Sequence, residues 1–255
     1  MNQNLSAKRS AFRRLHESGH FVLPNPWDIG GVRRLERLGF LALASSSAGY
    51  AWSLGKKDGE VTLDEALAHL RILCAATDLP VNADFETGFA DEPEGVAANV
   101  ALAIDTGVAG LSIEDLADET LYDLPLAVER IRAARESIDK SGQDVMLVGR
   151  TEGYRMGRTR LDDTLERLTA YSAAGADVLY APGVEDLAHI RAIVAAVAPK
   201  PVNVVLRKSL NIADLVAAGV RRTSIGAALA SYAWAAFEQA ALSVRDHGRL
   251  PGSTM

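Results

Sequence analysis

Val81-Asn82-Ala83-Asp84-Phe85-Glu86-Thr87-Gly88 reads as the end of a buried strand that carries two acids into a turn. Side chains two apart on a strand share a face, so Asp84 and Glu86 are expected to point together and Phe85 away. Two neighbouring carboxylates repel unless something positive stands between them. A hydrated divalent cation meets that need, and so does an arginine. Taken alone, the pair also reads as a solvated acidic strand end.

Outward from this stretch (residues 79–85) the same pattern recurs in both directions: a short apolar run, then helical spacing. Toward the N-terminus the runs are Phe21-Val22-Leu23 and residues 40–44, with helices expected over 5–18 and 29–38. A polar excursion, 52–60, precedes Thr62-Leu63-Asp64-Glu65, a capping box that opens another helix. Toward the C-terminus the runs are 108–113, 145–148, 177–180, 201–206 and 222–225, each followed by a helical stretch. Eight strands alternating with helices imply parallel neighbours joined by right-handed crossovers. A closed (β/α)8 TIM-type barrel uses roughly 250 residues, which matches one domain over all 255. No G-x-G-x-x-G follows the first strand, as an open dinucleotide-binding sheet would have.

The chain is 48% hydrophobic and 24% charged, ordinary for a soluble globular protein. Its net charge of -6 argues against nucleic acid or an anionic membrane as partner, while leaving room for a small anionic substrate. The single cysteine, Cys74, excludes an internal disulfide and a cysteine-based zinc cluster. It lies on the apolar stripe Leu63, Leu67, Leu70, Cys74 and is read as a packed core thiol. Residues 1–14 have no apolar leader core and no run reaches transmembrane length, so a cytoplasmic location is expected.

Barrel enzymes build their sites at the C-terminal ends of the strands. Here those ends supply Asn25, the turn Ser45-Ser46-Ser47-Ala48, Asp84 with Glu86, Glu114, Arg150 with Glu152, Tyr180 and Ser224. Acids left unpaired in a half-dry pocket cost several kcal/mol each, so a cation is expected among them. Oxygen donors without a thiol suit Mg2+ or Mn2+. An ion network of Arg150 against Glu152 and Glu114 is the competing reading. The Ser45 to Ser47 hydroxyls and amides suit a carboxylate or phosphate, or form a plain turn. Ser224-Ile225-Gly226 before the last helix is a weak phosphate candidate.

Asn25 with Asp28, the segment 45–58, Asp84-Phe85-Glu86-Thr87-Gly88, Ile113-Glu114-Asp115 and Gly149-Arg150-Thr151-Glu152 resemble the isocitrate lyase/phosphoenolpyruvate mutase superfamily. The resemblance runs from about Pro24 to the final helix. It implies an (α/β)8 barrel whose terminal helix, here 226–243, is swapped between subunits of a homodimer or homotetramer. It implies Mg2+ bound directly by Asp84, with Glu86 and Glu114 assisting partly through water. Arg150 would contact the substrate oxyanion or carboxylate, and backbone amides around Ser46, Ser47 and Ala48 would hold a substrate carboxylate. Asp58 matches an acid of the mobile segment near the site.

The implied chemistry makes or breaks a bond beside a 2-oxo acid through an enolate. The expected activity is therefore a lyase, decarboxylase or hydrolase reaction on a small 2-oxo or 2-hydroxy di- or tricarboxylate. The gate segment, 116–123, has no Cys, Lys or His. It therefore lacks the K-[KR]-C-G-H motif of the isocitrate and methylisocitrate lyases and the Lys-Thr-Asn stretch of the phosphonomutases. Carbon–phosphorus chemistry on a phosphonopyruvate-type substrate, and non-catalytic binding of a 2-oxo acid, are the alternatives. Tyr122 is a gate residue able to replace the missing acid, and packing or a lid contact is its other reading.

Overall fold

The computed structural model describes residues 3–117, 119–157 and 160–252; Asp118 of the gate segment lies outside them. Eight parallel strands form a nearly closed barrel: β1 Phe21–Leu23, β2 Leu43–Ala44, β3 Val81–Asp84, β4 Gly110–Glu114, β5 Met146–Arg150, β6 Val178–Tyr180, β7 Val202–Val205 and β8 Arg222–Ser224. Neighbours pair in sequence from β2 round to β8, and β8 pairs with β1, leaving β1 and β2 as the two ends of the sheet. At the seam between β1 and β2 the ladder is reduced to the bond from the Ala44 N–H to the Pro24 carbonyl, 3.0 Å. The barrel fold expected from the alternation is the one observed.

Ten helices among the described residues surround it: α1 Gln3–Glu17, α2 Ile29–Arg37, α3 Ser47–Ser53, α4 Leu63–Ala75, α5 Pro93–Ile104, α6 Leu124–Ser141, α7 Leu161–Ala173, α8 Leu187–Val197, α9 Ile212–Ala217 and α10 Ala228–His247. Thr62 and Glu65 form the capping box that starts α4. Two features escape sequence reading. The turn at Ser46 opens α3, because the Ser46 side chain caps the Gly49 N–H at 3.1 Å. The gate segment holds a small antiparallel hairpin, Leu116–Ala117 with Thr120–Leu121.

The outer core lies between strands and helices, built from Val96, Val100, Leu111, Ile113, Ile131, Leu147 and their neighbours. Cys74 belongs to it, and burial pushes its thiol up to about 12, so it is inert at neutral pH. The inner core is smaller: Phe12, Phe21, Leu23, Ala44, Met146 and Val178. Phe12 and His16 of α1 close the N-terminal end of the barrel, edge-on to Phe21.

The neighbours of His16 dictate its tautomer. Its Nδ1 meets the Phe12 carbonyl at 2.8 Å, which can only accept. Its Nε2 faces Arg222 Nη1 at 3.4 Å, which can only donate. The ring is therefore neutral with the proton on Nδ1, and burial together with Arg222 lowers it from 6.5 to about 3. Because the folded value lies below the unfolded one, this contribution to stability is complete above about pH 6.5 and shrinks as pH falls toward 3. Between pH 7.5 and pH 5 the loss from His16 is expected to be about 2 kcal/mol, read from urea midpoints. His16→Gln should lose correspondingly less over that interval; an equal loss would remove His16 as the cause.

Candidate active site

The register brings the sequence candidates to one mouth. Asp84 pairs with Ser112, Glu114 with Arg150, and Arg150 with Tyr180. A cavity of about 700 Å3 opens there, lined among others by Asn25, Ser46, Asp58, Asp84, Arg150 and Tyr180. Strand alternation separates Glu114, which turns inward, from Asp115, which turns outward. Asp115 accepts from the Tyr171 hydroxyl at 2.6 Å, Arg167 Nη1 at 3.1 Å and the Glu152 N–H at 2.9 Å, fixing the β5 loop from behind.

Arg150 is the centre of the charge distribution. Its Nη1 donates to Asp84 Oδ1 at 2.9 Å, its Nη2 reaches Glu114 Oε2 at 3.1 Å, and its Nε donates to Glu152. Glu152 is fully buried and also accepts from Arg155. The three carboxylates hold the Arg150 guanidinium well above its usual range, and the Tyr180 ring lies 5.4 Å from it. Burial, with Glu152 and Asp84 close by, pushes Glu114 upward against the pull of Arg150. The ion network read as a competitor is thus present, and it includes Asp84.

Asp84 is held from its other side as well. Ser47 donates to Oδ2 through its hydroxyl at 2.8 Å and its N–H at 3.2 Å, while the Asp84 N–H donates to Ser45 Oγ at 2.8 Å. Asp58 stands 3.5 Å from the Ser47 hydroxyl; burial and Asp84 raise its pKa. The strand ends at Asp84, and Glu86 takes a left-handed φ of 48°; it reaches a small side pocket that it lines together with Asp84, Tyr50 and His69. Burial there, with Asp84 and Asp58 nearby, raises Glu86 to about 7.

The loop carrying this motif is shaped by Gly88 and Arg130. Gly88 has φ 78°, and a Cβ on it would stand 3.2 Å from Ile113 and Val96. Buried Arg130 donates to the carbonyls of Thr87, Ala90 and Asp91. Tyr122 packs over Arg130, 4.1 Å from its guanidinium carbon, and donates to Asp91. It is absent from the cavity lining among the described residues, so its packing reading is the observed one.

Asn25 braces the mouth. Its Nδ2 donates to the Ser45 carbonyl at 2.9 Å, and its Oδ1 accepts from the N–H groups of Ile225 and Gly226 at 3.0 and 2.8 Å. Its oxygen is therefore already committed within the protein. Ser45 and Ser47 are engaged with Asp84, and Ser46 caps α3, leaving Ala48 on the cavity wall.

Among the described residues no three acid, histidine or cysteine side chains converge as a ready metal cage. The donors present fit a hard ion that keeps most of its water. Asp58, Asp84 and Glu86 repel one another in one corner, and all offer oxygen. Sequence reasoning passed over Arg155, Asn82, Asn203 and Arg222, which also line the cavity. The inward-facing alternation Arg222, Ser224 on a short strand was the available signal for the last.

The phosphoenolpyruvate phosphomutase family model matches residues 12–245. A crystal structure from Burkholderia cenocepacia J2315, ascribed to a lyase/mutase, superposes with a TM-score of 0.94 at 44% identity, covering 98% of this chain and 95% of that one. An uncharacterised Mycobacterium tuberculosis protein is 34% identical over 95% of this chain and 92% of its own length. The oxaloacetate decarboxylase of Bradyrhizobium diazoefficiens is 31% identical over 73% of this chain and 69% of its own. No helix among the described residues is long and apolar enough to cross a membrane.

Proposed function

Because the chain belongs to the phosphoenolpyruvate phosphomutase family, within the isocitrate lyase/phosphoenolpyruvate mutase superfamily of lyases and mutases, we propose that it cleaves the bond between a carboxylate and the carbon next to the carbonyl of a small 2-oxo di- or tricarboxylate, by decarboxylation through an enolate. The observation that carries this reading is Arg150, a cavity-lining cation fixed between Asp84 and Glu114.

Asp84, with Glu86 and Glu114 through water, would hold Mg2+, which when bound polarises the 2-oxo oxygen. Arg150 faces the same oxygen and stabilises the negative charge that grows on it as the bond breaks. The Ala48 amide, beside Ser46 and Ser47, holds the carboxylate next to the carbonyl. Asp58, whose pKa burial and Asp84 raise, stands on the cavity wall as the acid that returns a proton to the enolate carbon. Decarboxylation is favoured over aldol-type cleavage because CO2 leaves without needing a proton. The gate segment has no Cys, Lys or His, and Tyr122 is turned to Asp91 and Arg130.

A panel of 2-oxo and 2-hydroxy di- and tricarboxylates, with Mg2+ or with chelator, tests this. CO2 and a 2-oxo monoacid are expected from a 2-oxo diacid, in a metal-dependent reaction. Release of acetate and oxalate would move the reading to hydrolysis. Tight binding across the panel with no turnover would make the protein a binder.

We also propose that α10 packs on a second protomer as an exchanged helix. Its Tyr232 and Phe237 are 64% and 65% exposed, and Trp234, Leu242 and Val244 add to an apolar face larger than scattered surface residues explain. Phe237→Glu is expected to shift light-scattering mass from an oligomer toward the monomer. An unchanged mass would reject this packing.

A further inference from the structure

The barrel's strand pairs trace a descending diagonal. Glu114 pairs with Arg150, Arg150 with Tyr180, Tyr180 with Asn203, and Asn203 with Arg222. Strand tilt in such a barrel lowers this line by roughly 3 Å per strand, so a series that begins at the mouth ends near the floor. Arg222 is therefore placed beneath Arg150, although it begins its own strand.

Arg222 is only 2% exposed, and its immediate partners are neutral. Its Nε donates to Asn203 Oδ1 at 2.8 Å, and its Nη1 lies 3.4 Å from His16 Nε2 and 3.5 Å from Asn82 Oδ1. Its Nη2 makes no hydrogen bond among the described residues. The other deeply buried arginines are compensated differently. Arg150 has three carboxylates, while Arg9 and Arg130 donate to main-chain carbonyls. Arg222 has neither, yet it lines the same cavity as Asp84 and Arg150, together with Asn82, Asn203 and Ser112. A buried cation without a counter-charge is costly, and an anion entering the cavity would supply one. The charge of Arg150 is already shared among three acids, so it is the weaker attractor for a second anionic group.

We propose that Arg222, framed by Asn82 and Asn203, is an anion subsite at the cavity floor that receives the far carboxylate of the substrate. Resting on the reaction reading above, this makes the substrate one that carries a tail carboxylate besides the carboxylate lost as CO2, set upright in the barrel. Its reacting carbonyl is at Asp84 and Arg150, and the tail carboxylate points down toward the N-terminal end. Arg222 is then a specificity-determining residue. Its effect falls on the preference for a charged tail rather than on the bond-breaking step.

The test is binding without turnover, by calorimetry on the full chain. The probes are two matched pairs, 2-oxoglutarate against 2-oxopentanoate and 2-oxoadipate against 2-oxohexanoate, so that only tail charge differs within a pair. Wild type should prefer at least one diacid by about 10- to 100-fold. Arg222→Met should abolish that preference while leaving the neutral-tail affinities nearly unchanged. Arg222→Lys should restore part of it, and serves if the Met variant does not fold. Arg207→Ala with Lys208→Ala, on the exposed rim, should leave the preference in place.

No diacid preference in the wild type, a preference that survives in Arg222→Met, or one lost only in the rim variant would each overturn the proposal. Failure of the reaction reading looks different. In that case the diacid preference depends on Arg222, but no 2-oxo di- or tricarboxylate is turned over.

Discussion

Asp84→Ala is expected to lower kcat/KM by at least about 10^3-fold, equivalent to about 4 kcal/mol, and to abolish the dependence of activity on Mg2+. Three contacts converge on this carboxylate: the Ser47 hydroxyl, the Ser47 amide and Arg150 Nη1. Removing it also leaves Arg150 to lean on Glu114 and Glu152 alone, away from the reacting oxygen. Mn2+ binding, followed by calorimetry or by the ion's paramagnetic effect on water relaxation, should weaken in parallel. A variant with full Mg2+-dependent activity would show that the metal is held elsewhere.

Arg150→Met is expected to be nearly as damaging, for a different reason. Loss of one preorganised oxyanion donor typically costs about 10^2- to 10^3-fold in kcat. Here the substitution also strips the common cation from Asp84, Glu114 and Glu152, of which Glu152 is fully buried. An uncompensated buried charge costs about 3–5 kcal/mol, so the melting temperature should fall as well. Repulsion within the uncompensated cluster raises its folded-state pKa values above the unfolded ones, and taking up a proton relieves it. That gain in stability is present at low pH and lost as pH rises, so Arg150→Met should approach wild type on acidification from pH 7.5 to 5.5. Arg150→Lys keeps a charge but loses the fork that reaches three carboxylates, and should recover stability more than activity. Equal thermal stability of Arg150→Met and wild type at pH 7.5 would contradict this account.

What the sequence revealed, and what it hid, follows from the range of each interaction. Asp84, Glu114 and Arg150 are legible because each ends an apolar run, and in a parallel barrel all such ends meet at one mouth. The period-two rule placed Asp84 correctly within its strand. It does not describe the path to Glu86, which lies beyond the strand where the backbone turns left-handed, a feature no side-chain pattern announces. Helix α3 was invisible because Ser47-Ala48-Gly49-Tyr50-Ala51-Trp52-Ser53 carries no apolar stripe. That Asn25 braces β2 and the α10 turn, and does not merely line the mouth, depends on contacts 20 and about 200 residues away in sequence. The position of Arg222 below Arg150 depends on the tilt of the closed barrel, a global quantity that no local window contains.

The joint between β1 and β2 has a dynamic consequence. Around the rest of the ring a rung-by-rung backbone ladder resists separation, whereas here one main-chain bond and the Asn25 side chain do most of that work. Parting this joint sacrifices only a few hydrogen bonds, each about 1 kcal/mol net, so it is the place where the barrel breathes first. Ser45 to Ala48 and the first turn of α10 border it directly. Excursions there widen the mouth beside the carboxylate-holding turn and, through the bonds of Ser45 and Ser47 to Asp84, reach the near edge of the reaction centre, while Glu114, Arg150 and Glu152 stand further round the ring. The molecule thus couples a compliant entrance to one acid of its charge cluster and braces the others on the continuous part of the ring.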